Sequence, residues 1–276
     1  MIRALAGATS GAMSGASIGV LPALAVLVVL GAVQGATEFL PVSSHGHLVL
    51  LERWLDVGGD GALARDVLLH MGTLAAVIVF CRRDLLAMLR PGSAALWRVV
   101  VPATAITAVA GLTLEDVVEH ALSTPAWIGA GLLVNALLMT VLAPRDDRGL
   151  TRSLDRGTLA DGVVLGLLQS LALVPSVSRS ASTIVAALWL GYARRDAVRA
   201  AFLVSVPAVA GAVALSLMRG SGQAALQAPG MAAGLLAAFL VGLAALRFLT
   251  LHVDARSLRL FALYCLLLGT VVILVG

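Results

Sequence analysis

Two stretches break otherwise apolar sequence with proline and polar side chains: QGATEFLPVSSHGH (Gln34–His47) and QSLALVPSVSRSAST (Gln169–Thr183). They constrain the chain more than any other feature. Proline removes a backbone donor and pushes the residue before it out of the helical region. At membrane depth such a backbone is tolerated only where protein or a wet cavity satisfies its polar groups. Ionisable side chains at that depth are costly to bury, so they mark cavities and function.

Composition places these stretches at membrane depth. Of the 276 residues, 60% are hydrophobic and 12% charged, and the mean hydropathy is +1.00. A soluble domain is nearer about 45–50% apolar and about 25% charged. Too little polar surface remains to cover a water-exposed globule, which excludes a soluble-type metal hydrolase. The class is an all-α polytopic membrane protein. A net charge of +4 could suggest nucleic acid in a soluble chain. Here the 19 basic residues are all arginine, set in short loops between apolar runs, so they report topology and no nucleic-acid partner is expected. Cys81 and Cys265 fit neither a metal spacing nor a disulfide framework and read as small buried hydrophobes.

A bilayer core of about 30 Å needs about 20 apolar residues per spanning helix. Six segments approach that length: 65–81, 98–114, 126–143, 197–218, 230–249 and 257–275. Residues 20–55 read instead as a helix, a break at Pro41 and a second short helix, and residues 158–192 repeat the design with the break at Pro175. Both are expected to be re-entrant hairpins. Arginine placement supports this. If each hairpin returns to its own side, only Arg3, Arg53, Arg65 and Arg219, with the acidic loop of Glu115, Asp116 and Glu119, face one side. Arg179 sits in the second hairpin, and the other fourteen arginines face the opposite, cytoplasmic side.

A short internal repeat runs through the same elements. Leu30–Gln34 (LGAVQ) matches Leu165–Gln169 (LGLLQ), each followed by a proline and, three residues beyond it, by Ser44 or Ser178. Arg65-Asp66 and Arg195-Asp196 then open the next helix. Three spans between the copies make this an inverted-topology repeat, a design that places its site near the midplane. The expected organisation is a flexible extension over 1–17 and one membrane domain over 18–276, with repeats at 18–143 and 158–275.

Gln34 and Glu38 lie four apart on one helix face. Ser43, Ser44, His45 and His47 follow Pro41 in the loop or at the next helix start, where free N–H groups and the dipole favour an anion. Ser176, Ser178, Arg179, Ser180, Ser182 and Thr183 surround the second such start. Many membrane serines and threonines only bond backbone, and His70, in an apolar helix, reads as a packing or interhelical hydrogen-bonding residue. Arg179 is different: its guanidinium keeps its proton, and one carboxylate underuses its fork, so phosphate is the better partner. Glu38 could add a ligand for a hard divalent cation, which is usually held by few carboxylates plus substrate phosphates.

Those motifs resemble the undecaprenyl-diphosphate phosphatase family, the bacitracin-resistance membrane phosphatases. The family's first motif is Glu or Gln, three residues, then Glu, running into L-P-V-S-S-x-G-H; residues 34–47 match it in full. Its second motif, P-G-x-S-R-S-x-x-T, appears as P-S-V-S-R-S-A-S-T, with Ser176 where glycine is usual and Ala181 where glycine often follows. The resemblance covers nearly the whole chain, including D-V-L-L-H-M-G-T-L-A-A-V, and leaves out only about the first 17 residues. It implies a divalent-metal-dependent (Mg2+ or Ca2+) hydrolase of undecaprenyl diphosphate. Such an enzyme recycles the lipid carrier of cell-wall synthesis from the bacterial plasma (inner) membrane, with its site facing the extracytoplasmic side.

Carried over by residue, Gln34 and Glu38 belong near metal and phosphate, with Glu38 as the metal ligand. Ser44 and His47 are the candidate nucleophile and proton-transfer partner. Arg179 grips the diphosphate, with Ser43, Ser178, Ser180 and Thr183 lining the cradle. Whether Ser44 attacks or orients water stays open, as does assembly into a homo-oligomer. The rival reading is a flippase of undecaprenyl phosphate, since inverted repeats with broken helices are also a transporter architecture.

Overall fold

An apolar chain without water must satisfy its backbone internally, and this one does so with helices. The computed structural model describes residues 20–57, 62–114, 125–144, 149–219 and 226–275. Within them, ten α-helices follow one another: α1 (Val20–Phe39), α2 (Ser44–Leu55), α3 (Ala62–Met88), α4 (Ala94–Thr113), α5 (Pro125–Leu137), α6 (Leu159–Ser170), α7 (Arg179–Trp189), α8 (Arg194–Met218), α9 (Met231–His252) and α10 (Ala255–Val275). The expected extension at 1–17, the acidic loop of Glu115, Asp116 and Glu119, and Arg3, Arg145 and Arg148 lie outside the described residues.

Five helices (α3, α4, α8, α9 and α10) are long and apolar enough to cross a membrane. They match five of the six expected spans, with ends extended by polar turns; α3, for instance, runs past Arg82, Arg83 and Asp84 to Met88. The sixth, expected over 126–143, is α5 continued by a π-helical turn at Leu138–Leu142, and it falls among the shorter apolar helices. The chain is a multi-pass membrane protein.

Both expected breaks are present. α1 stops at Phe39 and α2 starts at Ser44; α6 stops at Ser170 and passes through a 3-10 turn (Leu171–Leu173) before α7 starts at Arg179. The second break is longer, because Val174, ahead of Pro175, is held extended at ψ 131°. Each pair then folds back on itself. Leu27 and Leu30 of α1 share one apolar cluster with Leu48 of α2. At the far end of the second hairpin, Tyr192 donates its hydroxyl to Asp161 at 2.8 Å, tying the residues after α7 to the first turn of α6. Arg152 clamps the same place, reaching Asp161 at 2.8 Å and the Leu190 carbonyl at 2.8 Å.

Helix pairing is symmetric between the two halves of the chain. α1 packs along α9 and α6 along α4; α3 meets α9 and α8 meets α4; α3 packs on α8 and α5 on α10. Matching α1–α5 with α6–α10 carries each of these pairings onto another or onto itself. The glycines that follow Leu30 and Leu165 both lie at close helix contacts. A Cβ on Gly31 would lie 2.1 Å from the Gly234 carbonyl oxygen of α9, and one on Gly166 would lie 2.8 Å from the Ala103 Cα of α4. With lipid on the outside there is little hydrophobic drive between helices, so small residues that admit close backbone packing take over that role. Gly31→Leu is therefore expected to part α1 from α9, costing at least about 1–3 kcal/mol. Thermal midpoints of detergent-purified protein check this. Gly211→Ala is the control, since nothing lies within 4 Å of its added Cβ.

Candidate active site

The two hairpin breaks meet at Glu38, in the last turn of α1. Its Oε2 accepts from Gln34 Nε2 at 3.0 Å, as the four-residue spacing requires, and from Ser44 Oγ at 2.6 Å across the proline break. Its Oε1 accepts from Arg179 Nη2, at the first residue of α7. Glu38 is 7% exposed. An isolated buried carboxylate would be very costly, and these donors compensate for that cost. A second link lies beside the first: Ser180 Oγ donates to the Leu40 carbonyl at 2.9 Å. Phe39, Phe80 and Phe202 seat the end of α1 against α3 and α8, with edge-on ring contacts at 5.4 and 6.0 Å.

Both half-helices start with a serine cap. Ser43 accepts from the Gly46 N–H at 3.3 Å and Ser178 from the Ala181 N–H at 3.2 Å. The caps leave other first-turn N–H groups without helical acceptors, a ready anion site. Ser43 adopts φ 71° and Ser176 φ 61°, the left-handed region that favours glycine. Glycine would adopt this conformation without strain. Here serine is held there by α5: Asn135 Nδ2 donates to the Ser176 carbonyl at 2.9 Å, while Asn135 Oδ1 accepts from the Ser178 N–H at 2.7 Å. Gly131, one turn earlier, leaves room, since a Cβ there would sit 2.2 Å from the Pro175 carbonyl oxygen.

A cavity of about 290 Å3 opens beside this cluster. Glu38, Ser43, Ser44, His45, His70, Ser178 and Arg179 are among its polar lining, with Thr107 and Gln169, and Val67, Leu173, Val209 and Val213 are among its apolar lining. The arrangement suits an amphiphile with an anionic head.

Of the expected site residues, Gln34, Glu38, Ser44 and Arg179 are bonded together. Ser43 and Ser178 cap, Ser180 ties the hairpins, and Thr183 donates to the Arg179 carbonyl at 2.7 Å. His47 stands apart from Ser44. Its Nδ1 lies 2.6 Å from the Ser43 carbonyl and its Nε2 lies 2.6 Å from the Tyr264 hydroxyl of α10, on which the ring also stacks. A carbonyl only accepts, so Nδ1 carries a proton and the neutral ring accepts from Tyr264 through Nε2. In this arrangement Ser44's hydrogen bond goes to Glu38, and His47 braces the break.

His70, read from the sequence as a packing or hydrogen-bonding residue, lies with Nε2 3.4 Å from Glu38 Oε2, while Nδ1 bonds the Asp66 carbonyl at 2.8 Å. Asn135 and Tyr264 were not singled out by sequence reasoning. An amide in the apolar run WIGAGLLVNALLMT was the available signal for Asn135; half-exposed Tyr264 gave none. Among the described residues, no group of three or more His, Cys, Asp or Glu side chains could hold a metal ion by itself. Hard oxygen donors are nevertheless present: the Glu38 carboxylate and the buried, unpartnered Gln34 Oε1. That set fits a cation bringing phosphate oxygens with it, and not a closed protein cage.

The class defined is a multi-pass helical membrane protein in which one carboxylate, one guanidinium and two serine-capped helix starts meet where two helix pairs break. The chain belongs to the bacitracin resistance protein BacA family, whose model matches residues 27–271. It is 41% identical over 261 residues to an undecaprenyl-diphosphatase of Rubrobacter xylanophilus, covering 89% of this chain and 95% of that protein. It is 37% identical over 268 residues to the one of Thermomicrobium roseum, covering 90% and 96%, and 38% over 251 residues to that of Syntrophotalea carbinolica, covering 88% and 95%.

Asn135→Leu is expected to strand the Ser178 N–H and the Ser176 carbonyl, each worth about 1–3 kcal/mol when buried and unpaired. The measurable outcome is a lowered thermal midpoint and a weakened site, whereas Asn135→Gln should recover less than full function because the longer amide misplaces both bonds.

Proposed function

We propose that this chain is an undecaprenyl-diphosphatase, hydrolysing undecaprenyl diphosphate to undecaprenyl phosphate and inorganic phosphate and so conferring bacitracin resistance. The observation that carries the chemistry is Glu38, held between Ser44 and Arg179 where the two hairpins meet. Relatives that share about nine-tenths of its length carry that activity in their names. The flippase reading has no observation in its favour beyond the repeat architecture.

Phosphoryl transfer needs mainly positioning and charge stabilisation. Arg179 turns its fork from Glu38 to the phosphate oxygens, helped by the starts of α2 and α7. The freed Glu38 accepts the proton of the attacking hydroxyl, either that of Ser44 or that of a water held by Ser44. The bond from the terminal phosphorus to the bridging oxygen breaks, and the lipid leaves as its monophosphate. On the serine route, water then releases phosphate from Ser44. Glu38 and Gln34 would hold a Mg2+ or Ca2+ arriving with the diphosphate, which would offset charge on the phosphate oxygens.

The arms of each hairpin pack on each other, and the helix pairings map between the halves. These contacts support six spans plus two re-entrant hairpins in an inverted repeat, over 18–143 and 158–275. With fourteen arginines on the cytoplasmic side, the Glu38 hairpin enters from outside, so the site serves a headgroup on the extracytoplasmic face of the plasma membrane.

Phosphate release from undecaprenyl diphosphate by purified protein, with and without chelator, tests the reading. Glu38→Gln and Arg179→Lys should each lower turnover by at least about 100-fold. Glu38→Gln, which leaves Arg179 without its carboxylate, should also lower the thermal midpoint, while Arg179→Lys keeps the charge and should lower it less. Near-normal turnover in either would refute the assignment. Mass spectrometry after rapid quench separates the two routes: a phosphate on Ser44 marks covalent attack, and its repeated absence during turnover marks water.

A further inference from the structure

His45 lines the cavity with an imidazole that the mechanism above does not use, its Nε2 turned into the protein behind the wall. The residue lines the same wall as Glu38, Ser44 and Arg179. Its Nε2 is shielded from solvent and has no hydrogen-bond partner among the described residues. Leaving such an atom unpaired costs stability, which a ligand that supplies the missing partner would recover. The chemistry of that ligand is narrowed by the neighbours. His45 is in the first turn of α2, where the helix start favours negative charge, and Arg179 faces the same cavity with a fixed positive charge. An oxyanion is the group that suits all three.

His45 also falls on the unassigned position of the L-P-V-S-S-x-G-H pattern, between the serine pair and Gly46. Its side chain is therefore a feature of this chain and is not required by the motif. We propose that His45 is a phosphate-binding residue, whose Nε2–H donates to an oxygen of the substrate's diphosphate. The role is binding, with no bond made or broken at the imidazole. It rests on the diphosphatase reading for the identity of the substrate, but the shared chemistry is that of any diphosphate. Inorganic pyrophosphate presents the same oxygens without the lipid.

The test compares the protein with His45→Leu and His45→Gln in detergent, measuring KM for undecaprenyl diphosphate and the inhibition constant of inorganic pyrophosphate. Glutamine keeps a neutral N–H donor at similar reach, and leucine keeps bulk alone. Leucine is expected to raise both constants about tenfold, the worth of one hydrogen bond to a charged group, with the loss mainly in KM. Glutamine should recover most of it. Unchanged constants in His45→Leu, or a glutamine variant as weak as leucine with its thermal midpoint intact, would overturn the proposal. Should His45→Leu fail to fold, His45→Ala takes its place.

If the unaltered protein releases no phosphate, the diphosphatase reading fails by itself. Calorimetric binding of pyrophosphate still decides on His45: about tenfold weaker binding in the leucine variant supports the contact, and equal binding removes it.

Discussion

The contact between Glu38 and Arg179 is the interaction on which the rest depends. Each charge alone would be prohibitive inside an apolar protein, and together they bind the last turn of one broken hairpin to the first turn of the other. Ser180 on the Leu40 carbonyl repeats the join beside it. In the function proposed above, phosphate would divide this pair, taking Arg179 and releasing Glu38 as a base.

Support for that pair comes from the outer helices, one for each break. α5 holds the second break through both ends of the Asn135 amide, and α10 holds the first through Tyr264 and His47, with Cys265 against the Pro41 carbonyl at 3.6 Å. α5 and α10 also pack on each other, with Gly129 and Gly269 at their closest approach. The helix that closes each half of the chain therefore braces the break in the other half. The backbone strain at Ser43 and Ser176 persists because these braces over-determine it.

Much of this was legible in the residues. Pro41 and Pro175 marked the breaks, the serines after them marked the caps, and the LGAVQ and LGLLQ copies placed equivalent glycines at equivalent helix contacts. Gln34 and Glu38 were paired by helical spacing alone. His47 lies three residues from Ser44 on the same helix, and its ring meets the Ser43 carbonyl at the break and a hydroxyl 217 residues away, a partner no local pattern shows. His70 and Asn135 looked like ordinary polar interruptions in apolar helices because their partners, Glu38 and the 176–178 backbone, come from other parts of the chain.

By itself the sequence determined that the chain spans a membrane repeatedly, where its helices must break, and which side chains are too costly to bury without a purpose. Those outcomes follow from local physics: apolar length, proline geometry and the free energy of placing charge at depth. Only the tertiary structure decided which of the costly groups share one site. Glu38 and Arg179 are 141 residues apart. Their meeting depends on how the end of α1 packs on α3 and α8 and how α7 packs on α8, contacts between helices remote in sequence that no local pattern encodes.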